Sequence, residues 1–154
     1  MIKHFFYHEN NRKEPYRPQE DAFASTDNIY VVADGVTHDV DKDGIYPIPS
    51  DASKVAQIIC DTVTGYLSSK HPSLENIKLA YLEANKQVQN FNQTRPLYQE
   101  RENNGYTIGA ATAATIWISG NKVLFGVLDD CFISIFSDDY KDHPILKSYV
   151  EQSA

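Results

Sequence analysis

Basic side chains are scarce in this chain: fourteen Lys and Arg stand against twenty-one Asp and Glu, a net charge of −7 with an isoelectric point near 5.1. Such a balance opposes a phosphate backbone by Coulomb energy and argues against nucleic acid as a partner. Cysteine is scarcer still. The two present, Cys60 and Cys131, lie far apart in apolar contexts, which excludes a disulfide scaffold, and each reads as a small core residue. No apolar run approaches the roughly 18 to 20 residues of a membrane-spanning helix, and the start, Met1-Ile2-Lys3-His4, lacks the apolar stretch of a signal peptide. A cytoplasmic protein with no membrane partner is the expectation. Also missing are a Gly-rich phosphate cradle followed by Lys and Ser or Thr, a Gly-x-Ser-x-Gly elbow, paired Cys or His at zinc spacing, internal repeats and low-complexity tracts.

What remains is an ordinary globular composition, 154 residues with 42% hydrophobic and only seven Gly and seven Pro, which excludes disorder and collagen and predicts one domain. A chain of this size buries about 70% of the surface it would expose unfolded. His4–Tyr7 predicts a strand and Glu9–Arg17 a loop. Asn28–Ala33 predicts a strand buried on both faces that ends at Asp34-Gly35. Val36–Ser50, acidic and carrying Gly44, Pro47 and Pro49, must be irregular. Ser50 is placed to cap a helix with Ala52, Val55, Ala56, Ile59, Val63, Tyr66 and Leu67 on its core face. Ser73 caps a second helix, with Ile77, Ala80, Tyr81, Ala84, Val88 and Phe91, that ends at Thr94-Arg95-Pro96. Three further strands follow over Thr107–Ile118, Val123–Leu128 and Cys131–Phe136, the first two joined by the hairpin chemistry of Ser119-Gly120-Asn121-Lys122. The tail from Ser137 is acidic and then weakly helical.

Three acidic signals fall at the edges of these elements: Glu20-Asp21-Ala22-Phe23, Ala33-Asp34-Gly35 and Asp129-Asp130-Cys131. Carboxylates at strand ends converge at one rim of a sheet, and a hard cation takes a few of them together with several waters. A fourth acidic segment, Asp39-Val40-Asp41-Lys42-Asp43-Gly44, carries the first half of a calcium-loop pattern. Its twelfth position is Ser50 rather than Glu, and the prolines obstruct the exiting helix. It is kept as a rival calcium site through Asp39, Asp41 and Asp43.

In their order and with these elements between them, the Glu-Asp pair, the Asp-Gly strand end, the two helices and the strands from Gly109 to Ser134 resemble the metal-dependent type-2C serine/threonine protein phosphatases. The resemblance implies an α+β fold, a four-layer α/β/β/α sandwich of antiparallel sheets flanked by helix pairs. It also implies a binuclear Mg²⁺ or Mn²⁺ centre that hydrolyses phosphoserine or phosphothreonine in a phosphoprotein substrate. On that likeness Asp34 bridges the metals, the Gly35 carbonyl and Glu20 serve one ion with Asp21 beside them, and Asp130 matches a Gly-Asp-Ser position that helps hold a further ion. Arg17, with Arg12 behind it, is the candidate for gripping substrate phosphate. His38, four residues past Asp34, borders this centre as a candidate proton donor to the leaving alkoxide.

The sequence departs from the family after Gly35, around Asp129-Asp130-Cys131, and in the spacing of Arg17 from Glu20. The family's later metal carboxylates would lie past Ala154. The expectation is therefore a single domain over 1–154 lacking the C-terminal part, with sheet edges open to homo-oligomerisation. A catalytically incomplete pseudophosphatase or phosphoprotein-binding module is the alternative.

Overall fold

The computed structural model describes residues 19–36, 50–95, 109–135 and the backbone of 146–147. Its main body is a four-stranded antiparallel sheet of order β1-β2-β3-β4, built from Ala22–Ser25, Ile29–Val36, Ala110–Ser119 and Lys122–Leu128. Two helices, α1 over Asp51–Ser68 and α2 over Leu74–Gln93, pack against it, α1 on β1, β2 and β3 and α2 on β4. The fold is α+β as expected. No helix among the described residues is long and apolar enough to cross a membrane.

Both helices start where their capping residues predict. The Ser50 hydroxyl accepts the Ser53 N–H at 3.0 Å, and the Ser73 hydroxyl accepts the Asn76 N–H at 3.1 Å, each satisfying one backbone donor that the first turn leaves open. The buried face of α1 is Ala52, Val55, Ala56, Ile59, Cys60, Val63 and Leu67. It lies against Ile29, Val31 and Ala33 of β2 and Ala113 and Trp117 of β3 in one core, which Ile77, Ala80 and Ala84 of α2 complete. Cys60 and Cys131 are free thiols.

The structure corrects several expectations. Strand β2 is not buried on both faces: its residues alternate, with Ile29, Val31, Ala33 and Gly35 buried and Val32 and Asp34 exposed. The apolar run misleads because Val32 is as β-branched as its buried neighbours while facing the other way. The strand also runs through Asp34-Gly35 to Val36, so Asp34 is internal to it. Of the strand expected over Cys131–Phe136, Ser134–Ile135 is observed as β5. It pairs antiparallel with β6, Leu146–Lys147, inside the tail expected to be weakly helical. The expected strand at His4–Tyr7 and the loop Glu9–Arg17 lie outside the described residues.

The hairpin between β3 and β4 turns at Gly120-Asn121, as its chemistry predicts. Gly120 has φ of +59°, a conformation costly for residues with a Cβ.

Candidate metal centre

Asp34 owes its surroundings to strand register. It pairs with Thr112 of β3 on one side. On the other side, β1 pairs with β2 as Ala22↔Ala33, and the ladder continues past the end of β1, because the Gly35 N–H donates to the Glu20 carbonyl at 3.2 Å. Glu20 therefore stands across from Gly35, and Asp21 across from Asp34. Since the bonded pair is 20 with 35, Asp21 and Asp34 form the non-bonded kind of pair, in which side chains come closest, with Cβ atoms about 4.5–5.5 Å apart. Both side chains are exposed, on the face of the sheet turned away from the helices.

Glu20 comes to the same rim from the other side. Alternation along the strand gives it the helix-facing side that Ala22 occupies, and it is only 3% exposed. Gly35 is required opposite it for a local steric reason. A Cβ there would lie 2.6 Å from the Glu20 carbonyl oxygen and 2.8 Å from the Ala52 carbonyl oxygen, because the first turn of α1 crosses the end of β2 at backbone contact. The Asp-Gly sequence thus serves two needs at once: a carboxylate on the open face and close helix–strand approach on the other.

The third acidic signal enters from β4. Ala113 pairs with Leu128, so the next residue, Asp129, ends the row that runs Asp21, Asp34, Thr112 across the sheet. Asp129 adopts a φ of +61°, a left-handed conformation that Asp tolerates better than most residues. The chain leaves the ladder there and brings Cys131 back over β3, with its Sγ 3.1 Å from the Thr112 Oγ1. Partial burial pushes the Cys131 thiol pKa up, and the charges of Asp130, Asp34 and Asp129 push it further, which places all three carboxylates within electrostatic reach of one sulfur.

The row is spread rather than gathered. Adjacent strands lie about 4.8 Å apart, so with Thr112 between them Asp34 and Asp129 sit roughly 10 Å apart along the sheet. Among the described residues no group of three or more His, Cys, Asp or Glu side chains is close enough to hold a metal ion. The oxygen chemistry of the Asp21–Asp34 pair suits a hard divalent cation, and the Gln19 amide donates to Asp21 Oδ2 at 2.6 Å.

Of the residues singled out in the sequence, Asp21 and Asp34 share a face, Gly35 and Glu20 flank them, and Asp130 lies in the turn at the end of the row. Arg17, His38 and the Asp39, Asp41, Asp43 loop lie outside the described residues. Sequence reasoning missed Thr112 and the outward placement of Cys131. The only signal for Thr112 is its register with Asp34, which the sequence does not display.

A second polar cluster also has no local signature in the sequence. Arg95, just past α2, donates from Nε to Asp51 Oδ2 at 3.0 Å, with Nη2 2.9 Å from Oδ1. The Asn92 amide donates to the Gly109 carbonyl at 3.1 Å. Together they fasten the end of α2 to the start of α1 and the start of β3.

The chain matches no protein-family model, no curated protein and no solved structure.

Proposed function

We propose that this rim binds divalent cations and hydrolyses phosphate esters, with phosphoserine or phosphothreonine of a protein as substrate and Mg²⁺ or Mn²⁺ as the ion. The observation that carries the proposal is the direct opposition of Asp21 and Asp34 on one face at the end of the sheet. Asp34 is the central ligand and Asp21 its cross-strand partner. On this reading the Gly35 carbonyl and Glu20 would serve one ion and Asp130 a further one. Cations held there supply an activated water and offset charge on the phosphoryl oxygens. The protein's own part is to hold the two carboxylates at fixed spacing on rigid strands, with Thr112 and Cys131 as the neighbouring wall. Arg17 orients the substrate phosphate and His38 supplies the leaving-group proton.

The four-layer sandwich belongs to the same proposal. The sheet face opposite the helices is apolar, with Phe23, Val32, Ile116 and Val127 on it, and Val32 is 44% exposed. An apolar sheet face is stable when a second layer packs on it. β5 and β6 are the first strands of that layer.

A phosphoprotein-binding module without turnover has one observation on its side, the wide spacing of the carboxylate row. Mn²⁺-dependent hydrolysis of p-nitrophenyl phosphate by the full chain distinguishes the two. Turnover that Asp34→Asn abolishes supports the hydrolase, and saturable Mn²⁺ binding by calorimetry with no turnover supports the module. Absence of both turnover and Mn²⁺ binding removes the proposal.

A further inference from the structure

The sheet order leaves β4 last, and among the described residues no strand pairs with its outer edge. Ladder parity determines which groups that edge presents. The Ile118 N–H bonds the Asn28 carbonyl at 2.8 Å, so even-numbered residues of β3 bond to β2 and odd-numbered ones to β4. Trp117 pairs with Leu124 and Thr115 with Gly126. Leu124 and Gly126 therefore direct their backbone groups inward, and Val123, Phe125 and Val127 direct theirs outward.

Beside this edge lies a groove of about 600 Å³ between α2 and β4, walled by Leu74, Lys78 and Leu82 from the helix and Phe125 to Leu128 from the strand. The three helical residues recur every fourth position and so form one stripe, in which Leu74 is 63% and Leu82 49% exposed. Edge strands are ordinarily blunted by charge, proline or a bulge. β4 has a single charge, at Lys122, no proline, and unbroken register with β3. Gly126 lets α2 pack closely on β4 at the floor of the groove, because a Cβ there would lie 2.6 Å from the Ile77 Cγ2.

We propose that the β4 edge binds the β4 edge of a second copy of this chain, antiparallel about a two-fold axis at Phe125, with the two α2 stripes closing over the joined sheet. The sequence is self-complementary about that axis. Phe125 meets its own mate and Val123 meets Val127, so all three outward-facing residues fall in hydrogen-bonded pairs. Leu124 falls opposite Gly126, large beside small. Lys122 falls opposite Leu128, so the one charge of the strand stands at each end of the seam and not within it. β4 is about 24 Å long, and a strip about 20 Å deep spanning strand edge and helix layer gives roughly 1,000 Å² in all, the size at which specific association begins. A dimer that dissociates on dilution follows.

Sedimentation velocity of the full chain from micromolar to millimolar concentration, paired with amide hydrogen exchange at both extremes, tests this. The expected result is a monomer–dimer equilibrium in which the amides of Val123, Phe125 and Val127 gain protection with concentration. Leu82→Glu places a charge from each copy in the closed seam and weakens association about tenfold or more. Val127→Pro removes an N–H that the β3 ladder does not use, so the monomer keeps its sheet while the dimer is lost. If Val127→Pro fails to fold, Leu82→Glu, at an exposed position, carries the test. A monomer at every concentration overturns the proposal, as does a dimer that Leu82→Glu leaves unchanged. Protection of the three amides in the dilute monomer overturns it too, because the chain itself then covers the edge.

Discussion

Arg95 holds Asp51 in a two-bonded fork, Nε to Oδ2 at 3.0 Å and Nη2 to Oδ1 at 2.9 Å, and so ties the last turn of α2 to the first turn of α1. Asp51 also stands where the α1 dipole favours a carboxylate. The Asp51 side chain is nearly buried, whereas that of Arg95 is about a third exposed, so solvent screens part of the attraction. The fork acts at the helix start that crosses Gly35, the residue next to Asp34 on β2.

Replacing Arg95 by Ala leaves Asp51 charged and poorly solvated. The expected loss is about 1–2 kcal/mol of unfolding free energy. Urea denaturation measures it, and the loss should shrink when Asp51 is also replaced by Asn, because the two residues share one interaction. Equal losses in the presence and absence of the Asp51 substitution would show that the fork contributes nothing of its own.

Much of the architecture was legible in the sequence, for reasons these residues illustrate. Ser50 and Ser73 cap helices because hydroxyls satisfy open N–H groups locally, and the apolar positions of α1 repeat at 3.6 residues, so both features are visible over a few turns of chain. The candidate site was legible only as separate acidic words. Which carboxylates share a face depends on register between strands distant in sequence, and it is the pairing of Ala22 with Ala33 that sets Asp21, rather than Glu20, across from Asp34. The Arg95–Asp51 fork joins residues 44 positions apart, and no local pattern announces it.

Gly35 and Gly65 should respond to alanine with opposite signs. At Gly35 the new methyl meets two backbone carbonyls, 2.6 Å from Glu20 and 2.8 Å from Ala52, neither of which can rotate away. Gly35→Ala is expected to cost about 1–3 kcal/mol or more. Gly65 lies in α1, and a Cβ added there would meet nothing within 4 Å. Gly65→Ala is expected to stabilise by about 0.5–1 kcal/mol, through helix propensity and a less flexible unfolded chain. Thermal melts of the two variants against the parent read both signs.

The Asp21–Asp34 pair predicts that Mn²⁺ raises the melting temperature in proportion to the logarithm of its concentration above saturation, as any ligand specific to the folded state does. Asp34→Asn should remove that rise. Asp21→Asn should reduce it, and Asp27→Asn, in the turn at the far end of β1, should leave it intact. Calorimetric scans with and without Mn²⁺ check the order of the three variants. An unchanged rise in Asp34→Asn would place the ion elsewhere.

Alkali should unfold the protein through two buried groups. Burial pushes the Tyr81 phenol up to about 12 from its ordinary value near 10, opposed in part by the hydroxyl contact with Thr115 at 2.8 Å. Burial pushes the Cys60 thiol up to about 12 as well, with Asp61 adding to the rise, while its Sγ rests 3.8 Å from the Val31 carbonyl. In both cases the folded chain keeps its proton more tightly than the unfolded chain does. The stability these groups contribute is therefore complete below their unfolded pKa values and falls as pH rises, from about 9 for the thiol and about 10 for the phenol, towards 12. Unfolding free energies at a series of alkaline pH values should decline by a few kcal/mol over that window. Tyr81→Phe cannot ionise, so it should flatten the part of the decline that begins near the phenol's ordinary pKa, whatever it costs at neutral pH through the lost contact with Thr115. A decline equally steep in Tyr81→Phe would assign the alkaline transition to other groups.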